Sequence, residues 1–249
     1  MRTVQAILSV IAWIGISLST IGWTILMGFV YLVHPWLDPQ RKIIHSMASL
    51  WGRGLVSLAP GCRVQVFGRE QIPQGRPVIL MADHQSYVDV PALYFLRWQF
   101  KWMADADLFR VPFFGWAMGM AGYIPVQRGN PEAGLRSLEQ AKQWLSRGIS
   151  IFVFPEGTRS HTGVFSRFQT GGFRLAVTTG TPIVPVVLVG TRQLLPRGSW
   201  IFRLGVKPQI HLLAPVTLPS SDPGQVHLLA KKVRRQMMLV YQRYLREFC

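Results

Sequence analysis

A chain of 249 residues with 49% hydrophobic content and a formal net charge of +16 is long enough for one sizeable domain plus an appendage. Its 27 Lys and Arg against 11 Asp and Glu call for an anionic partner, either nucleic-acid phosphates or an anionic lipid surface. Residues 3 to 37 contain no Asp, Glu, Lys or Arg, and the aromatics lie in apolar segments rather than between basic residues as stacking platforms, so nucleic acid is set aside.

Residues 4 to 34 read as helix, with Pro35 closing the run and Trp36 an interfacial anchor. A bilayer core takes about 20 apolar residues of helix, so this stretch exceeds one straight span. It is either one long tilted helix or two shorter ones bent into the interface. A signal peptide fits poorly, because only Arg2 stands before the apolar region and no small-residue cleavage site follows. Arg41 and Lys42 open a second, amphipathic helix running to about Ser57. Ile43, Ile44, Met47, Leu50 and Trp51 form one face, and His45, Ser49 and Arg53 a polar stripe beside it. That stripe either meets lipid headgroups or packs on the main domain. Residues 1 to 58 are thus expected to be a helical membrane anchor and 59 to 249 the catalytic domain. Cys62 and Cys249 make neither a disulfide framework nor a zinc site, which suits a reducing cytosolic setting.

From Arg63 the pattern changes to short apolar runs punctuated by Gly and Pro. Strands are expected at 63–67, 77–82, 123–127, 150–154, 183–189 and 208–213. Helices are expected at 87–96, 131–147, 172–179 and 223–247. The alternation predicts an α/β fold: a mixed, largely parallel sheet flanked by helices, preceded by the N-terminal helical membrane anchor. Such sheets carry their chemistry at strand C-terminal ends.

Two motifs sit at such ends. HQSYVD, residues 84 to 89, follows the run PVILMA, and FPEGTRS, residues 154 to 160, overlaps the end of ISIFVF. His84 and Asp89 are about 140° apart on a helix, so they meet only across a strand-to-helix turn. Ser86 and Asp89 have the spacing of a capping box, which places the helix start at Tyr87. A carboxylate on one imidazole nitrogen fixes the tautomer and leaves the other nitrogen to take a proton from a hydroxyl. The plainer alternative is that Asp89 only caps the helix. In the second motif Pro155 and Gly157 force a turn that exposes Glu156, Thr158 and Arg159. Arg159 suits a phosphate or carboxylate, and Glu156 a substrate hydroxyl or a cation. The alternative is a structural Glu–Arg pair.

HQSYVD followed by FPEGTRS resembles the glycerolipid acyltransferases, most closely the bacterial 1-acyl-sn-glycerol-3-phosphate acyltransferases. Residues 108 to 128, ending in Arg128, and the proline-containing strand PIVPV, 182 to 186, look like two further blocks of that family in the right order. The resemblance implies that His84 is the general base, Asp89 its orienting partner, and Glu156, Gly157 and Arg159, with Arg128, the acceptor-phosphate site. It implies acyl transfer from a thioester, acyl-CoA or acyl-carrier protein, to the free hydroxyl of 1-acyl-glycerol-3-phosphate. Phosphatidic acid would form with no metal, no cofactor and no acyl-enzyme. The residues agree, since no G-x-S-x-G elbow or placed cysteine offers a nucleophile. The expected setting is the cell membrane, with the catalytic domain on its cytoplasmic face, an anionic lipid surface beneath it and no nucleic acid.

Two departures stand out. Many relatives carry a lysine just before the Leu-Phe pair of the second block, where this chain has Ala104, Asp105, Ala106 and Asp107, with Lys101 further upstream. After the third block Gln169 stands where a lysine is common. Another lysolipid acceptor, such as a lyso-ornithine lipid or a lysophospholipid, is therefore an alternative, as is a non-catalytic lipid-binding scaffold. Residues 111 to 124 are rich in Met, Gly and aromatics and either line an acyl-chain tunnel or form ordinary core. His161 is expected to be an exposed loop residue. The basic run of the final helix, Lys231, Lys232, Arg234 and Arg235, is either a solvated face or a lipid patch.

Overall fold

The computed structural model describes residues 2–33, 36–59, 61–160, 162–217 and 223–245, so Pro35, His161 and Cys249 lie outside the described residues. The uncharged stretch forms one helix, α1 (Arg2–Val33), long and apolar enough to cross a membrane by length and composition. It is followed by α2 (Lys42–Ser57), whose first turn is held by Asp38, the carboxylate accepting from the amides of Lys42, Ile43 and Ile44.

The remainder alternates strands and helices. In chain order come β1 (Gln65–Phe67), β2 (Ile79–Ala82), α3 (Asp89–Leu93), β3 (Phe100–Asp105), α4 (Phe114–Met120) and β4 (Ile124–Val126). Then follow α5 (Pro131–Ser146), β5 (Ser150–Val153), α6 (Gly171–Thr179), β6 (Ile183–Val189), α7 (Thr191–Leu194), β7 (Gln209–Leu212) and α8 (Val226–Leu245). The seven strands form one sheet in the order β1-β7-β6-β2-β5-β3-β4, parallel throughout except for the β6–β7 pair. The mixed, largely parallel sheet expected from the sequence is thus observed. The central strands β2 and β6 are buried on both faces, which is why they read as unbroken apolar runs. Pro185 is tolerated within β6 because its carbonyl accepts from Leu213, so its missing N–H faces the β7 side just where that ladder ends.

Alternation along the strands splits the core in two. Leu80, Phe100, Trp102, Phe152, Val184 and Val186 face one way, toward Met27 of α1, Ile44 and Ala48 of α2, Leu93 of α3 and Met118 of α4. Ile79, Met81, Ile151 and Val187 face the other, toward Ala141 of α5, Phe173 of α6 and Val233 of α8. The polar stripe of α2 turns inward rather than toward headgroups. His45 and Ser49 are buried, and His45 bridges Tyr123 and the Trp98 carbonyl, at 3.1 Å each.

Three of the named elements were not expected from the sequence: β3, α4 and the single turn α7. β3 carries Lys101, buried at 1% exposure, and α4 is a short helix cut from the Met- and Gly-rich stretch. Gly115 in α4 is required by close approach, since a Cβ there would collide with the Phe109 carbonyl.

Candidate active site

Because β2 and β5 are parallel neighbours, the loops leaving their C-terminal ends lie side by side. They are stitched together. The His84 amide donates to Glu156 Oε1 at 3.2 Å, and the Ser160 amide donates to the His84 carbonyl at 2.7 Å. The two sequence motifs therefore form one structural unit.

The histidine–carboxylate pair is formed. His84 Nδ1 lies 2.7 Å from Asp89 Oδ2, and the same oxygen accepts from the amides of Gln85 at 2.6 Å and Ser86 at 2.8 Å. The carboxylate is fully buried, whereas the imidazole is 18% exposed and stacked on Phe154 at 4.0 Å between centroids. With Nδ1–H donating to the carboxylate, Nε2 is left as the acceptor nitrogen, and among the described residues it has no hydrogen-bond partner. Asp89 Oδ1 likewise has none. The helix begins at Asp89 rather than Tyr87, because Ser86 Oγ accepts from Val88 at 3.2 Å and donates to the Leu195 carbonyl instead of capping a longer helix.

Around this pair opens a cavity of about 1990 Å³, lined by His84, Arg128 and the Glu156–Arg159 turn together with apolar residues of α1, α2 and α4. Gly157 sits at φ +72°, the left-handed turn conformation that glycine adopts without strain. Arg159 lays its guanidinium over the Tyr87 ring, 3.5 Å from the centroid, and its carbonyl accepts from Arg197. Arg128 reaches the same cavity and pairs with Asp105 at 3.1 Å. Thr158 is exposed at the tip of the turn.

Glu156 ties the two loops together. At 3% exposure its Oε2 accepts from the Ser166 amide at 2.7 Å and hydroxyl at 2.9 Å, while Oε1 takes the His84 amide. Three of its roughly four acceptor positions thus serve the two loops, while the residue still lines the cavity. Beneath the pair runs a second buried chain. Tyr241 of α8 donates to Gln85 Oε1 at 3.1 Å, Gln85 Nε2 donates to Asp83 at 2.8 Å, and Asp83 also accepts from the Leu188 amide at 2.8 Å. Burial holds the Asp83 carboxyl well above the usual carboxylate range.

A family profile described as Acyltransferase matches residues 63–189. The 1-acyl-sn-glycerol-3-phosphate acyltransferase of Pseudomonas aeruginosa is 32% identical over 206 residues, covering 80% of this chain and 77% of that protein. This chain belongs to the glycerolipid acyltransferase family. The chain is also 35% identical to the chloroplastic LPAT1 of Arabidopsis thaliana over 184 residues, 72% of this chain and 51% of the relative. It spans about half the length of that protein and of the chloroplastic BAT2 of Brassica napus. Its fold matches the crystal structure of the 1-acyl-sn-glycerophosphate (LPA) acyltransferase PlsC from Thermotoga maritima. The TM-score is 0.79 at 25% identity, over 96% of this chain and 98% of the other.

In this chain the motifs pointed to His84, Asp89, Arg128, Glu156, Gly157, Thr158 and Arg159, and the fold gathers all of them at one cavity or its supporting turn. Reading by motif passed over Tyr87, Phe154, Ser166 and Tyr241. Tyr87 and Phe154 lie within or beside the motifs, but nothing local marks them as stacking partners. Ser166 and Tyr241 meet the site only through the tertiary fold.

Proposed function

We propose that this protein transfers a fatty acyl group from an acyl thioester, acyl-CoA or acyl-carrier protein, to the free hydroxyl of 1-acyl-glycerol-3-phosphate, yielding phosphatidic acid. The observation that carries this reading is the 2.7 Å His84–Asp89 contact at the wall of a largely apolar cavity, beside the Arg159 turn. His84 Nε2 takes the hydroxyl proton as the alcohol oxygen attacks the thioester carbonyl. The C–O bond forms, the C–S bond breaks, and the imidazolium returns the proton to the departing thiolate. Asp89 stabilises that imidazolium. The first turn of α6, which has no side-chain cap and whose Gly171 and Gly172 line the cavity, supplies amides for the oxyanion. Arg159 and Arg128 hold the acceptor phosphate, with Gly157 and Thr158 shaping the turn; Glu156 positions the His84 loop against it.

Residues 1–58 serve as the membrane anchor and 59–249 as the catalytic unit, on the cytoplasmic face. α1 is clasped along its length by the rest of the chain. Ser9 Oγ accepts from Phe202 N at 2.9 Å, Trp13 Nε1 donates to the Trp200 carbonyl at 2.7 Å, and Thr24 Oγ1 donates to the Phe113 carbonyl at 3.2 Å. Ile7, Ile14, Leu18, Ile25 and Phe29 remain exposed on it. A helix held in this way lies on the membrane with its apolar side in lipid rather than crossing it.

Purified protein incubated with acyl donors and a lysolipid panel, with products read by mass spectrometry, tests the reading. Phosphatidic acid should form, and His84→Ala should lower turnover by about 10²–10⁴-fold with membrane binding intact. Unimpaired turnover would sink the base assignment. The Asp105–Arg128 pair and Gln169 favour a second reading, another lysolipid acceptor, which the same panel distinguishes.

A further inference from the structure

The donors that meet at Asp89 Oδ2 are each held by a different part of the fold. The His84 ring is stacked on Phe154, and Ser86 is tied to the Leu195 carbonyl. The Gln85 amide has its own anchor, because the side chain of that residue is gripped at both ends. Its Nε2 donates to Asp83, and its Oε1 accepts from Tyr241 of α8, 156 residues further along the chain. Asp83 is in turn fixed to the sheet. β2 pairs with β6 as far as Ala82 and Val186, and the Asp83 carboxyl then accepts from the Leu188 amide, adding one bond beyond the end of that ladder. Asp83, Gln85 and Tyr241 are all buried, and none of the three lines the cavity.

α8 reaches the second motif as well. Arg234 lies two turns before Tyr241 on the same face of the helix. It donates through Nη2 to the Phe165 carbonyl at 2.8 Å and through Nε to the Ser166 carbonyl at 3.2 Å. The Phe165 ring packs on Tyr241, with centroids 5.1 Å apart. Ser166 is the residue whose amide and hydroxyl hold Glu156, and Glu156 accepts from the His84 amide. Within the basic run of α8, Arg234 is therefore committed to backbone carbonyls.

We propose that α8 braces the histidine from the far side of the sheet, with Tyr241 and Arg234 as positioning residues for acyl transfer. Tyr241 acts through Gln85 and Asp89 on the imidazole, and Arg234 acts through Ser166 and Glu156 on the His84 backbone. This rests on the reading of His84 as the base and adds to it the parts that keep the base aimed. A misplacement of about 1 Å at a reacting group costs about 10²-fold in rate, so bonds that never reach the substrate still act on turnover.

Gln85 suits the middle of such a chain. Beside a charged Asp83 its amide donates to the acid and accepts from the phenol. Beside a neutral Asp83 it turns over, accepting the acid's proton and donating to the phenol oxygen. Burial favours the neutral acid, and the Asp89 and Glu156 charges act in the same sense. The side chain stays clamped in both states, and Asp83→Asn reproduces the neutral one.

Tyr241→Phe removes a single oxygen and keeps the ring. It should lower kcat about 10-fold, with KM for lysophosphatidate and for the acyl thioester within about two-fold of the unaltered protein. Arg234→Met should lower kcat about three-fold in the same pattern. Asp83→Ala should match Tyr241→Phe, whereas Asp83→Asn should stay within about three-fold of the unaltered protein, because the turned amide keeps a partner at each end. Hydrogen exchange read by mass spectrometry in detergent should quicken in the HQSYVD loop of Tyr241→Phe and in the loop from FPEGTRS to Ser166 of Arg234→Met. Unchanged kcat with a lower unfolding temperature, or a loss carried by KM, would overturn the proposal. So would exchange as slow as in the unaltered protein. If the unaltered protein transfers no acyl group, the base reading falls by itself, and the exchange measurement alone decides whether α8 holds the two loops.

Discussion

Asp89 concentrates three N–H donors on a single oxygen, and a charge-assisted hydrogen bond of this kind contributes about 1.5–3 kcal/mol. This makes Asp89→Asn informative. Its carbonyl can keep the three donors and the tautomer, while its NH₂ enters the place of Oδ1, where the described residues offer no partner. The variant should therefore keep the ring in place, lose about 1–3 kcal/mol of stability and lose about 10²–10⁴ in kcat, measured by thermal unfolding and steady-state kinetics. A stability loss with normal kcat would mean that the carboxylate only caps α3. Tyr87 and Arg159 form the second residue-scale test. Tyr87→Ala should raise the acceptor KM about three- to ten-fold, the size of a cation–π contact, and should add nothing once Arg159→Ala is present. The His84–Asp89 contact was legible in the sequence because turn and strand chemistry left the two residues one way to meet. The stack on Phe154 and the serine holding Glu156 were not, because those partners are set by how β5 and its following loop fold back.

Among the elements, α2 shows what periodicity conveys and what it omits. It gave the stripe of His45, Ser49 and Arg53 but not the surface that the stripe meets. His45 is part of a directed chain. Its Nε2–H donates to the Trp98 carbonyl, so Nδ1 accepts from Tyr123, which accepts from Tyr94, which accepts from Trp102. Burial first, then the nearby Lys101 charge, pushes the imidazole down to about 3. The folded chain thus keeps it neutral while the unfolded chain protonates near 6.5. Its stability contribution is complete above about pH 6.5 and is lost as pH falls toward 3, by at most ~1.4 kcal/mol per pH unit. Thermal unfolding in detergent should show the unaltered protein losing more stability than His45→Gln between pH 6.5 and 4.5. β3 escaped the sequence reading because a buried strand is not expected to carry a lysine. Lys101 is satisfied there by the Arg41 and Ala121 carbonyls and by the Trp144 ring. α4 escaped because seven apolar and small residues show no polar period.

At the scale of the whole molecule, the sheet separates α1, α2 and α4 from α5, α6 and α8, and the reaction cavity lies on the α1 side. Alternating runs announced the sheet, since each buried strand leaves an apolar word between turns. How α1 lies against that sheet was not announced, because a 32-residue apolar helix fits a span and a surface clasp equally well. Replacing residues 2–33 with an unrelated membrane-spanning helix should restore membrane attachment yet leave kcat/KM at least about ten-fold low, because Leu8, Ile11, Trp13 and Met27 line the cavity. Full activity in such a chimera, measured in liposomes, would reduce α1 to a tether. One face of α1 carries the exposed Ile14, Leu18, Ile25 and Phe29 and the opposite face lines the cavity, so on the surface-lying reading proposed above the enclosure is built partly from material that the bilayer squeezes. On that reading thicker, stiffer or more crowded leaflets bear directly on the room available inside the cavity, and the surrounding membrane becomes a control on the proposed reaction.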